Sequence, residues 1–86
     1  MNFKKVTIEL VNRQHIEMNL SKIVGDVLWG SATTIAQNRL AQRIYDEEEV
    51  ELKEEDKAWI LRSLSGKINY AACAAVKKML EGEEQS

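Results

Sequence analysis

Two short runs of alternating apolar and polar residues near the start of the chain most narrow its choice of fold. Val6, Ile8 and Leu10 alternate with Thr7 and Glu9, and Ile16, Met18 and Leu20 alternate with Glu17 and Asn19. A period of two puts every apolar side chain of a strand on one face, which something else must then cover. Between the runs lies the polar connection Asn12-Arg13-Gln14, and asparagine tolerates turn backbone angles. The pattern predicts a β-hairpin over residues 3–20 with its apolar face turned onto helices. A two-stranded sheet is marginal in water, so the rest of the chain has to stabilise it.

The remainder of the chain reads as helices. Ser21 suits an N-cap, because its hydroxyl can accept a hydrogen bond from an unpaired first-turn amide. Ile23, Val24, Val27 and Leu28 make the apolar stripe of a short helix ending near Gly30. Thr34 and Gln37 match a capping box that opens a second helix. That helix presents Ile35, Ala36, Leu40, Ala41, Ile44 and Tyr45 on one face and Gln37, Asn38, Arg39, Gln42 and Arg43 on the other. Asp46 and the three glutamates after it oppose the helix dipole, so fraying is expected there. Val50-Glu51-Leu52 is a candidate third edge strand. Glu54, Glu55 and Asp56 favour the start of a third helix, which buries Ala58, Trp59 and Leu61, with Ile60 and Leu64 as further candidates, and stops at Gly66. Asn69 caps a fourth helix over residues 70–80, ended by Gly82. The expected fold class is α+β: an N-terminal hairpin, with or without the short third strand, packed on three to four helices. Residues 1–82 form a single domain and residues 83–86 a flexible C-terminal tail. Tyr45, Trp59, Leu61, Leu64, Val76 and Leu80 are the expected core contributors.

The totals agree with one small domain. In 86 residues, 44% are apolar and 30% charged, a globular composition whose core is modest enough that dimerisation would help it. The single cysteine, Cys73, excludes an intrachain disulfide and fits a reducing compartment, so the cytoplasm is expected. The longest apolar run, Tyr70 to Val76, is far short of the ~20 residues that span a bilayer. Thr7 and Glu9 interrupt the apolar residues after Lys4 and Lys5, which argues against a secretory leader.

Few residues offer chemistry. His15 is the only histidine and falls at the predicted hairpin, where a solvated side chain is the plain reading. Cys73 stands among Ala71, Ala72, Ala74 and Ala75 with no base near it in sequence, as a small apolar helix contact would. One histidine and one cysteine cannot complete a zinc site. The glycines fit neither a phosphate-binding loop nor a dinucleotide fingerprint, and the acids lack the calcium-loop spacing. No catalytic residue, cofactor or metal is therefore expected. Asp46, Glu47, Glu48, Glu49, Glu51, Glu54, Glu55 and Asp56 hold more than half of the fourteen acids, with Lys53 the sole base among them. Such a patch suits docking to a basic partner, as do exposed tryptophans. Trp29, Trp59, Glu47, Glu48, Glu49 and Glu51 are the candidate partner-binding residues.

The alternative is a nucleic-acid regulator. Gln37, Asn38, Arg39, Gln42 and Arg43 are types that read base edges and phosphates, and two helices about Gly30 suggest a helix-turn-helix. A net charge of −2 and the neighbouring acids make nucleic acid the less favoured partner.

Three segments, Ile23-Val24-Gly25-Asp26-Val27-Leu28, Leu40-Ala41-Gln42-Arg43-Ile44-Tyr45 and Val50-Glu51-Leu52-Lys53-Glu54-Glu55-Asp56, resemble a group of small uncharacterised bacteriophage and prophage proteins. Where that group often has a serine before the third helix, this chain has Lys53. The resemblance implies an accessory, interaction or assembly role and no reaction. The expected function is a non-enzymatic interaction module that self-associates or docks on another protein through an apolar and acidic surface.

Overall fold

A computed structural model describes residues 1–85, with side chains described through Gly82. It is an α+β fold of two antiparallel strands followed by four helices: β1 (Val6–Glu9), β2 (His15–Met18), α1 (Ser21–Ser31), α2 (Ile35–Tyr45), α3 (Glu54–Leu64) and α4 (Tyr70–Gln85). Val6 pairs with Met18 and Ile8 with Ile16. The loop is one residue earlier than the polar connection suggests. Leu10 and Gln14 close it by a 2.8 Å backbone hydrogen bond, and Arg13 takes the left-handed conformation at φ 67°. The Asn12 carboxamide oxygen accepts from the Gln14 N–H, which fixes the turn locally.

The two strands are unequal. Val6 and Ile8 are buried with Phe3, whereas all four residues of β2 are exposed, Ile16 at 40% and Met18 at 41%. The cause is the order of packing: α4 lies against β1 and α3, α3 against α1, and α1 against α2. Among the described residues, β2 touches no helix and α2 touches only α1. These two elements close the two ends of the packing order.

Several ends depart from the expected form. The first helical residue is Ser21, and the Asn19 side chain accepts from its N–H, so the asparagine does the capping. The Ser21 hydroxyl is buried with no hydrogen-bond partner among the described residues. The buried stripe of α1 is Ser21, Val24, Gly25 and Leu28, and Ile23 is exposed. At α2 the box is displaced: Thr34 accepts from the Gln37 N–H, while the Gln37 side chain accepts from Thr33.

The C-terminus of α2 does not fray. The Glu48 N–H donates to the Arg43 carbonyl and the Glu47 N–H to the Ile44 carbonyl, with Glu47 left-handed at φ 64°. This is the Schellman closure, here with glutamate where glycine is usual. Arg43 reinforces it by donating to the Glu49 carbonyl and pairing with the Glu48 carboxylate.

The third strand does not form. Val50 is buried, but its N–H donates to the Met1 carbonyl, pinning the loop against the N-terminus and away from the hairpin. Lys53 precedes α3, and its ammonium has no lone pair with which to cap. Asp56 supplies the reciprocal half of a box by accepting from the Lys53 N–H. In α3 the core residues are Trp59, Ile60 and Leu64, with Leu61 half-buried and Ala58 exposed. Gly66, at φ 77°, ends the helix region as expected, and Asn69 caps α4 through the Ala72 N–H. The α4 backbone continues through Gly82 to Gln85, so glycine does not stop it. Of the tail expected over 83–86, Ser86 and the side chains before it lie outside the described residues.

Candidate interaction groove

Gly25 decides how α1 meets α2. A Cβ built at this position would lie 2.6 Å from the Tyr45 Cβ and within 2.8 Å of Tyr45 backbone atoms, so only glycine permits the approach. Gly25 lies about 9 Å of helix before the end of α1, and Tyr45 about 15 Å beyond the start of α2. A three-residue loop can bring them together only if the helices fold back alongside each other. The pair is therefore a helical hairpin.

Beside this contact the surface opens into a groove of about 350 Å³, lined by Gly25, Asp26, Trp29, Ala41, Gln42, Tyr45 and Asp46. Its formation follows from residue size. Gly25 and Ala41 leave the floor low, and Trp29 and Tyr45 stand up as aromatic walls, 53% and 43% exposed. Asp26 on α1 and Asp46 at the end of α2 add carboxylates. Tyr45 also carries a cation within the chain. The Lys22 ammonium lies 4.2 Å from its ring centroid and donates to its backbone carbonyl at 2.8 Å.

The expected partner-binding residues part company. Trp29 is on the groove. Trp59 is not available to a partner: it is 6% exposed, packed in the core from α3. Tyr45, expected in the core, is instead on the surface: its backbone and Cβ meet Gly25, while its ring is covered on one side by the Lys22 ammonium. The glutamates are used within the chain. Glu47 accepts from Asn19, Glu48 pairs with Arg43, and Glu49 holds the Met1 ammonium and the Asn2 side chain. These contacts, the ammonium first, hold the Glu49 carboxyl below its ordinary value of 4.5. Glu51 is exposed.

Of the five polar residues on α2, Gln37 serves the cap and Arg43 the loop, while Asn38 is half-buried and Arg39 and Gln42 are exposed. Gly25, Asp26, Tyr45 and Asp46 are site residues that the sequence pattern did not single out. The available signal was Gly25, a glycine inside a helix rather than at its end.

A second groove, about 450 Å³, runs between the hairpin and α4 past Thr7, Glu9, His15, Tyr70, Ala74 and Lys78. His15 is exposed, and Cys73 is half-buried against the core. Among the described residues, no group of three or more His, Cys, Asp and Glu is placed to hold a metal ion, and no helix is long and apolar enough to cross a membrane. Comparisons with family models, with curated proteins and with solved structures find no match for this chain.

Proposed function

We propose that the chain is a non-enzymatic interaction module that holds a partner protein by an arginine side chain seated in the α1–α2 groove. The observation that carries this reading is the exposed Trp29, set beside Tyr45 over a floor of Gly25 and Ala41 and flanked by Asp26 and Asp46. A guanidinium is planar and weakly hydrated, stacks on aromatic faces and forks onto carboxylates, so it suits walls of this kind. The Lys22 ammonium over Tyr45 supports the choice of a cation, since the fold already places one against this aromatic wall. An accessory or assembly role of the kind implied by the resemblance to phage and prophage proteins accords with it.

The test uses arginine-bearing peptides matched with citrulline versions, read through the indole signal of Trp29 with buried Trp59 as internal control. The arginine peptide should shift Trp29 and leave Trp59 unmoved. D26N with D46N should weaken binding by about tenfold, as should added salt. An equal response to citrulline, or an unmoved Trp29 at millimolar peptide, defeats the proposal.

A further inference from the structure

The hairpin offers a second surface, independent of the groove. The sheet has only two strands, and the outer edge of β2 has no strand beside it and no helix against it among the described residues. Natural edges are commonly blunted by lysine, proline or a bulge, and β2 carries none of these. On the core-side face, Ile16 and Met18 remain some two-fifths exposed opposite Ile8 and Val6, which are buried. A half-covered sheet face beside an open edge is the arrangement that a further strand completes.

We propose that the strand is β2 of a second copy, paired antiparallel about a twofold axis at Ile16. The register follows from the hairpin itself. Leu10 donates to Gln14, so Gln14 points its backbone groups towards β1, and alternation turns those of Ile16 and Met18 inward and those of His15 and Glu17 outward. Two outer edges can bond only where outward residues oppose each other, and this also keeps apolar side chains on one face. A twofold axis must then pass at His15, Ile16 or Glu17.

An axis at His15 would set Glu17 against Arg13, which is held in the left-handed turn. An axis at Glu17 sets two like carboxylates face to face and recruits Asn19, whose side chain is already bonded to Glu47. The axis at Ile16 has neither fault. It places Ile16 against Ile16 of the second copy, and His15 against Glu17 of the second copy twice. Each His15–Glu17 pair exchanges both backbone hydrogen bonds and sets an imidazole beside a carboxylate. The product is a continuous four-stranded sheet.

Light scattering across a concentration series, with amide hydrogen exchange, tests this on the intact chain. Wild-type mass should rise from one chain towards two, and the Glu17 amide should become protected with concentration while the inward Ile16 amide stays protected throughout. E17P removes only an outward N–H, which the hairpin does not use, so the fold should persist by circular dichroism and melting. Its dimer dissociation constant should rise by about a hundredfold. E17K, which opposes lysine to His15, should raise it by about tenfold, and H15E combined with E17K should restore pairing. A wild-type chain that stays monomeric at millimolar concentration, or a folded E17P that dimerises as wild type does, overturns the proposal.

Discussion

β2 and α2 are both peripheral, each held among the described residues by a single neighbouring element, yet they are stabilised in opposite ways. Strand β2 buries none of its four residues, so its attachment to β1 is a backbone ladder with little side-chain burial behind it. Helix α2 buries Ala41 and Ile44 against α1, and Gly25 lets the two backbones approach closely. Burial of apolar side chains supplies most of the stabilisation in such contacts, whereas an exposed ladder hydrogen bond adds only about 0.5–1.5 kcal/mol net. An element finished by side-chain packing can leave its outer surface free for a ligand. One finished only by its ladder still has a strand edge and an apolar face to satisfy.

The contrast is open to direct attack by mutation. The largest effect belongs to α2: I44A removes a side chain 1% exposed and should cost about 2–5 kcal/mol in urea unfolding. In the dilute chain, I16A on β2 should cost less, about 1 kcal/mol, since Ile16 is 40% exposed and has less cover to lose than Ile44. Equal costs for the two would mean that β2 is packed as α2 is. G25A comes next. Its methyl group would meet Tyr45 backbone atoms, so the helices must part at a cost of about 1–3 kcal/mol, and the Trp29 indole environment should change with them. A G25A melt identical to wild type would show that α1 and α2 are not in close contact.

The smallest effect lies in the loop after α2. Because the folded Glu49 carboxyl titrates below 4.5, its contribution to stability is fully present above that pH. It is lost as pH falls through the lowered folded value. E49Q should therefore be slightly less stable than wild type near neutrality, with the difference vanishing in acid. A difference that grows on acidification would contradict this sign.

Much of the fold was legible in the chain because local chemistry sets it. The alternation of Val6, Thr7, Ile8 and Glu9 marked a strand, and Thr34 and Asn69 marked helix starts that their side chains do cap. The acids of the first turn of α3 stand where expected, with Asp56 making up for the unsuited Lys53. The candidate site was much less legible. Trp29 and Trp59 have the same side chain and comparable helical surroundings, yet one lines a groove and the other fills the core. Helical periodicity says which residues share a face, but not how much of that face a neighbour will cover.

Residue order alone set the elements, their succession and most of their ends, because turn angles, caps and alternation act over a few residues. Packing across the whole chain settled the rest: the acids after α2 fasten their own loop, Tyr45 faces outward, and β2 keeps an open edge. Those outcomes depend on which surfaces remain uncovered once α1, α3, α4 and β1 have come together, and that depends on contacts between residues far apart in the chain.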